Sequence, residues 1–70
     1  MLRERYGLTS RELSITRLLA AGRANKEIAA ELGISPYTAR NHTERVLGKL
    51  GVPTRARVGA LLREPVGRAD

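Results

Sequence analysis

The sequence predicts an all-α domain of four helices. Three features carry this expectation: apolar residues recur at three- and four-residue spacing, strict apolar and polar alternation is absent, and glycine or proline punctuates the chain at helix-sized intervals. Seventy residues leave room for one domain, and a chain of this size buries only roughly 60% of the surface its unfolded form exposes. The core is therefore thin.

The first predicted helix runs from Ser10 to Ala21. Thr9 followed by Glu12 is a capping box, in which each side chain satisfies a backbone donor near the other, and Leu8 is placed to staple against Leu13. Ile15, Leu18 and Leu19 form the inner stripe, and Gly22 supplies the stop. The second helix covers Asn25 to Leu32, with Ile28, Ala29 and Leu32 on one face and Lys26, Glu27, Ala30 and Glu31 outside. Gly33 ends it, Ile34 is an apolar plug, and Ser35-Pro36 provides a capping hydroxyl followed by proline at the first helical position. Two helices joined this tightly around a glycine are the sequence sign of a helix-turn-helix.

The third helix extends from Pro36 to Leu50 and stops at Gly51. Ala39, Thr43, Val46, Leu47 and Leu50 turn inward; Tyr37, Arg40, Asn41, Glu44, Arg45 and Gly48 turn outward. After the Val52-Pro53 connector, Thr54 caps a last helix that reaches Arg63 before Pro65, with Val58, Leu61 and Leu62 toward the core. The domain is thus expected over residues 8–64, behind an extension at 1–7 and ahead of a polar tail at 65–70.

Charge and composition narrow the function. The chain carries 13 Lys+Arg against 7 Asp+Glu, for a net charge of +6 and a pI near 11.1. Eleven of the basic residues are arginine, whose planar guanidinium offers two parallel donors to phosphate or guanine. A GC-rich genome produces the same arginine, alanine and glycine, and the charge is spread along the chain, so any basic patch has to be made by folding. Cysteine is absent, which removes disulfides and thiolate ligands and suits a reducing cytoplasm. His42 is the only histidine, Asp70 the only aspartate, and the serines are Ser10, Ser14 and Ser35, so no nucleophile, base and orienting acid assemble. No catalytic residue, cofactor or metal is expected. No apolar run approaches the roughly 20 residues that cross a bilayer, and no membrane contact is expected.

The segments LTSRE at 8–12, AAGRANKEIAAELGIS at 20–35, TARNH at 38–42 and KLGV at 49–52 now stand together. In this order and spacing they resemble the LuxR-type (GerE/NarL-like) helix-turn-helix domain of bacterial transcription regulators, over about Leu8 to Leu62. The resemblance implies a cytoplasmic, nucleoid-associated domain that inserts its third helix into the major groove of double-stranded DNA and often pairs through its fourth. Some positions depart from the family. Ala24 stands where Ser or Thr is usual, leaving Asn25 as a substitute cap; Thr16 and Thr43 replace aliphatic residues, Ala39 is smaller than the usual Val, and Glu44 is an acid where some members carry a base.

On a helix in the major groove, base edges are read by the outer side chains near the N-terminus. Arg40 suits the two acceptors of guanine, Asn41 suits adenine, and Glu44 can accept from the cytosine amino group. Arg40 and Glu44 are also four residues apart and placed to pair with each other, in the weaker order. Lys26, Tyr37, Thr38, Arg45, Lys49 and Arg55 are the expected phosphate contacts, with helix-start amides adding donors. His42, between the inner and outer faces, is expected to be a partly buried ring hydrogen-bonded to backbone, with a phosphate contact as the alternative. Ala56, Gly59, Ala60 and Arg63 form a small-residue stripe that predicts a weak homodimer, mainly on DNA. RNA polymerase is a further expected partner. The alternative reading is a helical protein-interaction module that docks on polymerase or another regulator; RNA binding is disfavoured because Tyr6 and Tyr37 form no stacking platform.

Overall fold

The computed structural model describes residues 2–63. Five helices occupy them: α1 (Leu2–Tyr6), α2 (Ser10–Ala20), α3 (Asn25–Leu32), α4 (Pro36–Leu50) and α5 (Arg55–Arg63). The all-helical class is as expected, and α2 to α5 are the four helices read from the sequence, with α2 ending one residue early. The α1 helix is additional and falls in the stretch expected to be an extension. Pro65 and the tail at 65–70 lie outside the described residues, as does the domain limit at 64.

Helix ends follow from local chemistry. Thr9 Oγ1 accepts from the Glu12 N–H at 3.1 Å and Glu12 Oε1 accepts from the Thr9 N–H at 3.0 Å, which completes the capping box of α2. Gly33 takes φ +68°, a left-handed value that glycine adopts without steric cost, and the Ile34 N–H closes back on the Ala29 carbonyl at 3.0 Å. The same closure ends α1: Gly7 sits at φ +68° and the Leu8 N–H donates to the Arg3 carbonyl at 2.9 Å.

The start of α3 has half a cap. Ala24 has no side-chain acceptor to offer, and only the returning bond is made, from the Ala24 N–H to Glu27 Oε1 at 2.8 Å. Asn25 does not substitute, because its Oδ1 accepts from Arg55 Nη1 at 3.0 Å instead.

In the core, α2 packs against α5 and α4, α3 against α4, α5 also against α4, and α1 rests on α2. Ile15, Ile28, Val46 and Val58, one from each of the four longer helices, are fully buried where these meet. Leu18, Leu32, Leu47, Leu61 and Leu62 surround them half-buried. The two threonines that stand in for aliphatic residues are buried without an orphan hydroxyl: Thr16 and Thr43 each donate to the carbonyl four residues back at 2.8 Å.

One polar contact joins the ends of the domain. Glu12 is only 2% exposed, and its Oε1 accepts from Lys49 Nζ at 2.7 Å; the same ammonium donates to the Gly7 carbonyl at 2.9 Å. The hydrogen bond from Lys49, then that from the Thr9 backbone, hold the Glu12 carboxyl below its ordinary value of 4.5, against the opposing effect of burial. A carboxyl whose folded pKa is lowered stabilises the fold fully above its unfolded pKa, and that contribution is lost as pH falls through and below 4.5.

Lys49→Met leaves a buried carboxylate without its strongest partner, so urea denaturation at neutral pH shows a loss of about 1–3 kcal/mol. The acid-induced fall in stability below pH 4.5 becomes shallower in that variant; an unchanged acid profile contradicts the assignment. Ala24→Ser restores the missing acceptor at the start of α3 and raises stability by about 1 kcal/mol in the same assay, while a loss of stability shows that the position tolerates no cap.

Candidate nucleic-acid interface

The geometry of α4 is set at its start by Ser35 and Pro36. Ser35 Oγ accepts from the Thr38 N–H at 3.0 Å and donates to Thr38 Oγ1 at 2.9 Å, while Pro36 occupies the first helical position, where its missing N–H is no loss. From there Ala39, Thr43, Val46 and Leu50 are buried on one side. Arg40, Asn41, Glu44 and Arg45 are exposed on the other, and Thr38, His42 and Leu47 are half-buried along the border. Tyr37 is 70% exposed at the head of the helix. Lys26 is exposed on the first turn of α3, beside the incomplete cap at Ala24.

Arg40 and Glu44 are brought together. Arg40 Nε lies 3.3 Å from Glu44 Oε2, with both side chains more than 60% exposed. Such an exposed pair contributes about 0.2–0.5 kcal/mol to the helix, so its interest is in where it holds the guanidinium.

Two of the residues expected at phosphates make contacts within the fold. Lys49 reaches Glu12 and Gly7, because a long flexible chain at the last turn of α4 finds a buried carboxylate across the domain. Arg55 is half-buried and donates through Nη2 to the Arg23 carbonyl at 2.7 Å and through Nη1 to Asn25 Oδ1, tying α5 to the start of α3. The small-residue stripe also changes. Ala56 and Ala60 are exposed, but Gly59 is buried beside Val58, since the packed face of α5 is wide enough to include it. The side chain of Arg63 lies outside the described residues. His42 is half-buried as expected, but its buried Nδ1 has no hydrogen-bond partner, so the bond to backbone is not made there.

Sequence reasoning missed the burial of Glu12 and the bridging place of Asn25. The capping box placed the Glu12 side chain against the Thr9 backbone, which is the one signal that pointed inward; nothing local marks Asn25 as the acceptor for Arg55.

No helix among the described residues is long and apolar enough to cross a membrane. None of them forms a group of His, Cys, Asp or Glu suited to a metal ion.

Residues 6–61 match the family of bacterial regulatory proteins, luxR family. The chain is 47% identical over 57 residues to the spore germination protein GerE of Bacillus subtilis, covering 80% of this chain and 77% of that protein. It is 56% identical over 45 residues to the transcriptional regulatory protein UhpA of Salmonella typhimurium, and 51% identical over 49 residues to the transcriptional regulatory protein MctR of Rhizobium johnstonii. These matches cover 64% and 70% of this chain but 23% of each of those proteins, so the chain spans less than a quarter of their length. No solved structure matches it at a significant level. UhpA and MctR are both named transcriptional regulatory proteins. The chain belongs to the luxR family of bacterial regulatory proteins, as a helix-turn-helix domain of the kind through which transcriptional regulators bind DNA.

Proposed function

We propose that this domain binds double-stranded DNA sequence-specifically as the output domain of a bacterial transcription regulator, with α4 in the major groove. The observation that carries this reading is the division of α4 into a buried stripe at Ala39, Thr43, Val46 and Leu50 and an exposed face at Arg40, Asn41, Glu44 and Arg45. A helix fits that groove, and the groove floor offers acceptors that match a guanidinium and an amide. Arg40 meets guanine and Asn41 meets adenine. Lys26, Tyr37, Thr38 and Arg45 meet phosphates, and the start of α3 adds backbone N–H groups that no side-chain cap satisfies. Lys49 and Arg55 brace the domain rather than the duplex. Such a domain works at the bacterial nucleoid, and RNA polymerase is the protein partner expected of the regulator that carries it.

Pairing is weak in this reading. Ala56 and Ala60 give α5 a small exposed face, and an isologous contact there sets two copies of α4 on one side of the duplex, with half-sites about ten base pairs apart. Gly59 lowers the helix propensity of α5 by about 1 kcal/mol relative to alanine.

Titration against duplex DNA at several salt concentrations tests the proposal. Affinity falls steeply with salt, and Arg40→Ala relaxes preference at one base pair by about 1–3 kcal/mol. Lys26→Ala weakens binding to all sequences alike and lowers the salt slope by about one. Unchanged affinity and preference in Arg40→Ala rejects the placement of α4. Sedimentation shows a monomer without DNA and pairing on a two-half-site duplex; a tight dimer at low concentration without DNA contradicts the α5 contact.

A further inference from the structure

We infer that Glu44 is a positioning residue for base recognition: it holds the Arg40 guanidinium by Nε so that the two terminal nitrogens are left to face guanine. The inference rests on the DNA-binding reading above and assigns Glu44 a part different from contacting a base itself.

Arginine has five donors on a planar fork, and it can approach two acceptors either end-on, through Nη1 and Nη2, or side-on, through Nε and one terminal nitrogen. Glu44 Oε2 lies 3.3 Å from Arg40 Nε, and neither Nη of Arg40 has a hydrogen-bond partner among the described residues. The side-on edge is therefore occupied and the end-on edge is free. Side chains on a helix lean toward its N-terminus, so Glu44, one turn further along, lies behind Arg40 relative to the end of α4 that enters the groove. In water the pair is weak because both groups are more than 60% exposed. Between the walls of the groove water is displaced, the effective dielectric falls, and the same contact strengthens. The carboxylate also faces two rows of phosphates, a setting that repels it unless its charge is shared with a cation such as Arg40.

The experiment selects binding sites from random duplexes with the full chain. It then compares the selected duplex with its substitutions at the guanine for the wild type, Glu44→Ala, Glu44→Gln, Arg40→Ala and the Arg40→Ala/Glu44→Ala pair. The wild type prefers guanine, and Glu44→Ala reduces that preference roughly tenfold while leaving affinity for unrelated duplex unchanged or higher. Glu44→Gln, whose amide oxygen still accepts from Nε, keeps most of the preference. Once Arg40 is alanine, removing Glu44 has no further effect at that base. An intact guanine preference in Glu44→Ala overturns the inference, as does a change at a neighbouring base pair that persists without Arg40, which makes Glu44 a base reader. A wild type that binds every duplex alike, or none, overturns the inference together with the reading beneath it; any selected preference lost in Arg40→Ala but not in Glu44→Ala overturns the inference alone.

Discussion

Three segments of the chain meet at the carboxylate of Glu12. Its own backbone belongs to the first turn of α2, the Thr9 N–H donates to it from the cap, and the Lys49 ammonium reaches it from the last turn of α4 while also holding the carbonyl of Gly7. A carboxylate that is 2% exposed is costly to bury unless charged and neutral donors surround it, and here both kinds do. The contact fixes the C-terminal end of α4 against α2, as the Ser35 hydroxyl fixes its N-terminal turn. With a core whose largest fully buried aliphatic side chains come one from each of four helices, such polar ties do much to decide how α4 is aimed.

That orientation has an electrostatic consequence. The formal charge of +6 overstates the free basic surface, because Lys49 and Arg55 are committed to Glu12, Gly7, Arg23 and Asn25. Exposed cations that stay available near the outer face of α4 include Arg40 and Arg45 on α4 itself, with Arg23 and Lys26 at the start of the neighbouring α3. On the proposed reading, base preference depends on how well Arg40 and Asn41 are presented. The rigid stripe from Ala39 to Leu50 and the ion pair with Glu44 both serve that presentation.

The sequence makes the four longer helices legible through their ends rather than their middles. Thr9 with Glu12, Ser35 with Pro36, and the glycines at 33 and 51 are local signals whose physics does not depend on the rest of the chain. The outer face of α4 was legible for the same reason, since helical periodicity separates Arg40 and Asn41 from Ala39 and Thr43. The short α1 was not read, although Gly7 before Leu8 is the same stop as Gly33 before Ile34; five residues carry too little periodicity to announce a helix by themselves. The internal partners of Lys49 and Arg55 were not legible, because a long cationic side chain on a helix serves a phosphate or an internal acceptor equally well, and Glu12 and Asn25 lie 37 and 30 residues away in the chain. Gly59 was misplaced because the width of a packed face depends on the neighbouring helix, which no local pattern records.

On the proposed reading, the exposed face of α4 lies in the major groove. Dimethyl sulfate footprinting on a selected duplex tests it directly, since the reagent methylates guanine N7 in the major groove and adenine N3 in the minor groove. Bound protein then protects guanine N7 at the site read by Arg40 and leaves adenine N3 reactive. Protection of adenine N3 with guanine N7 still reactive would contradict it.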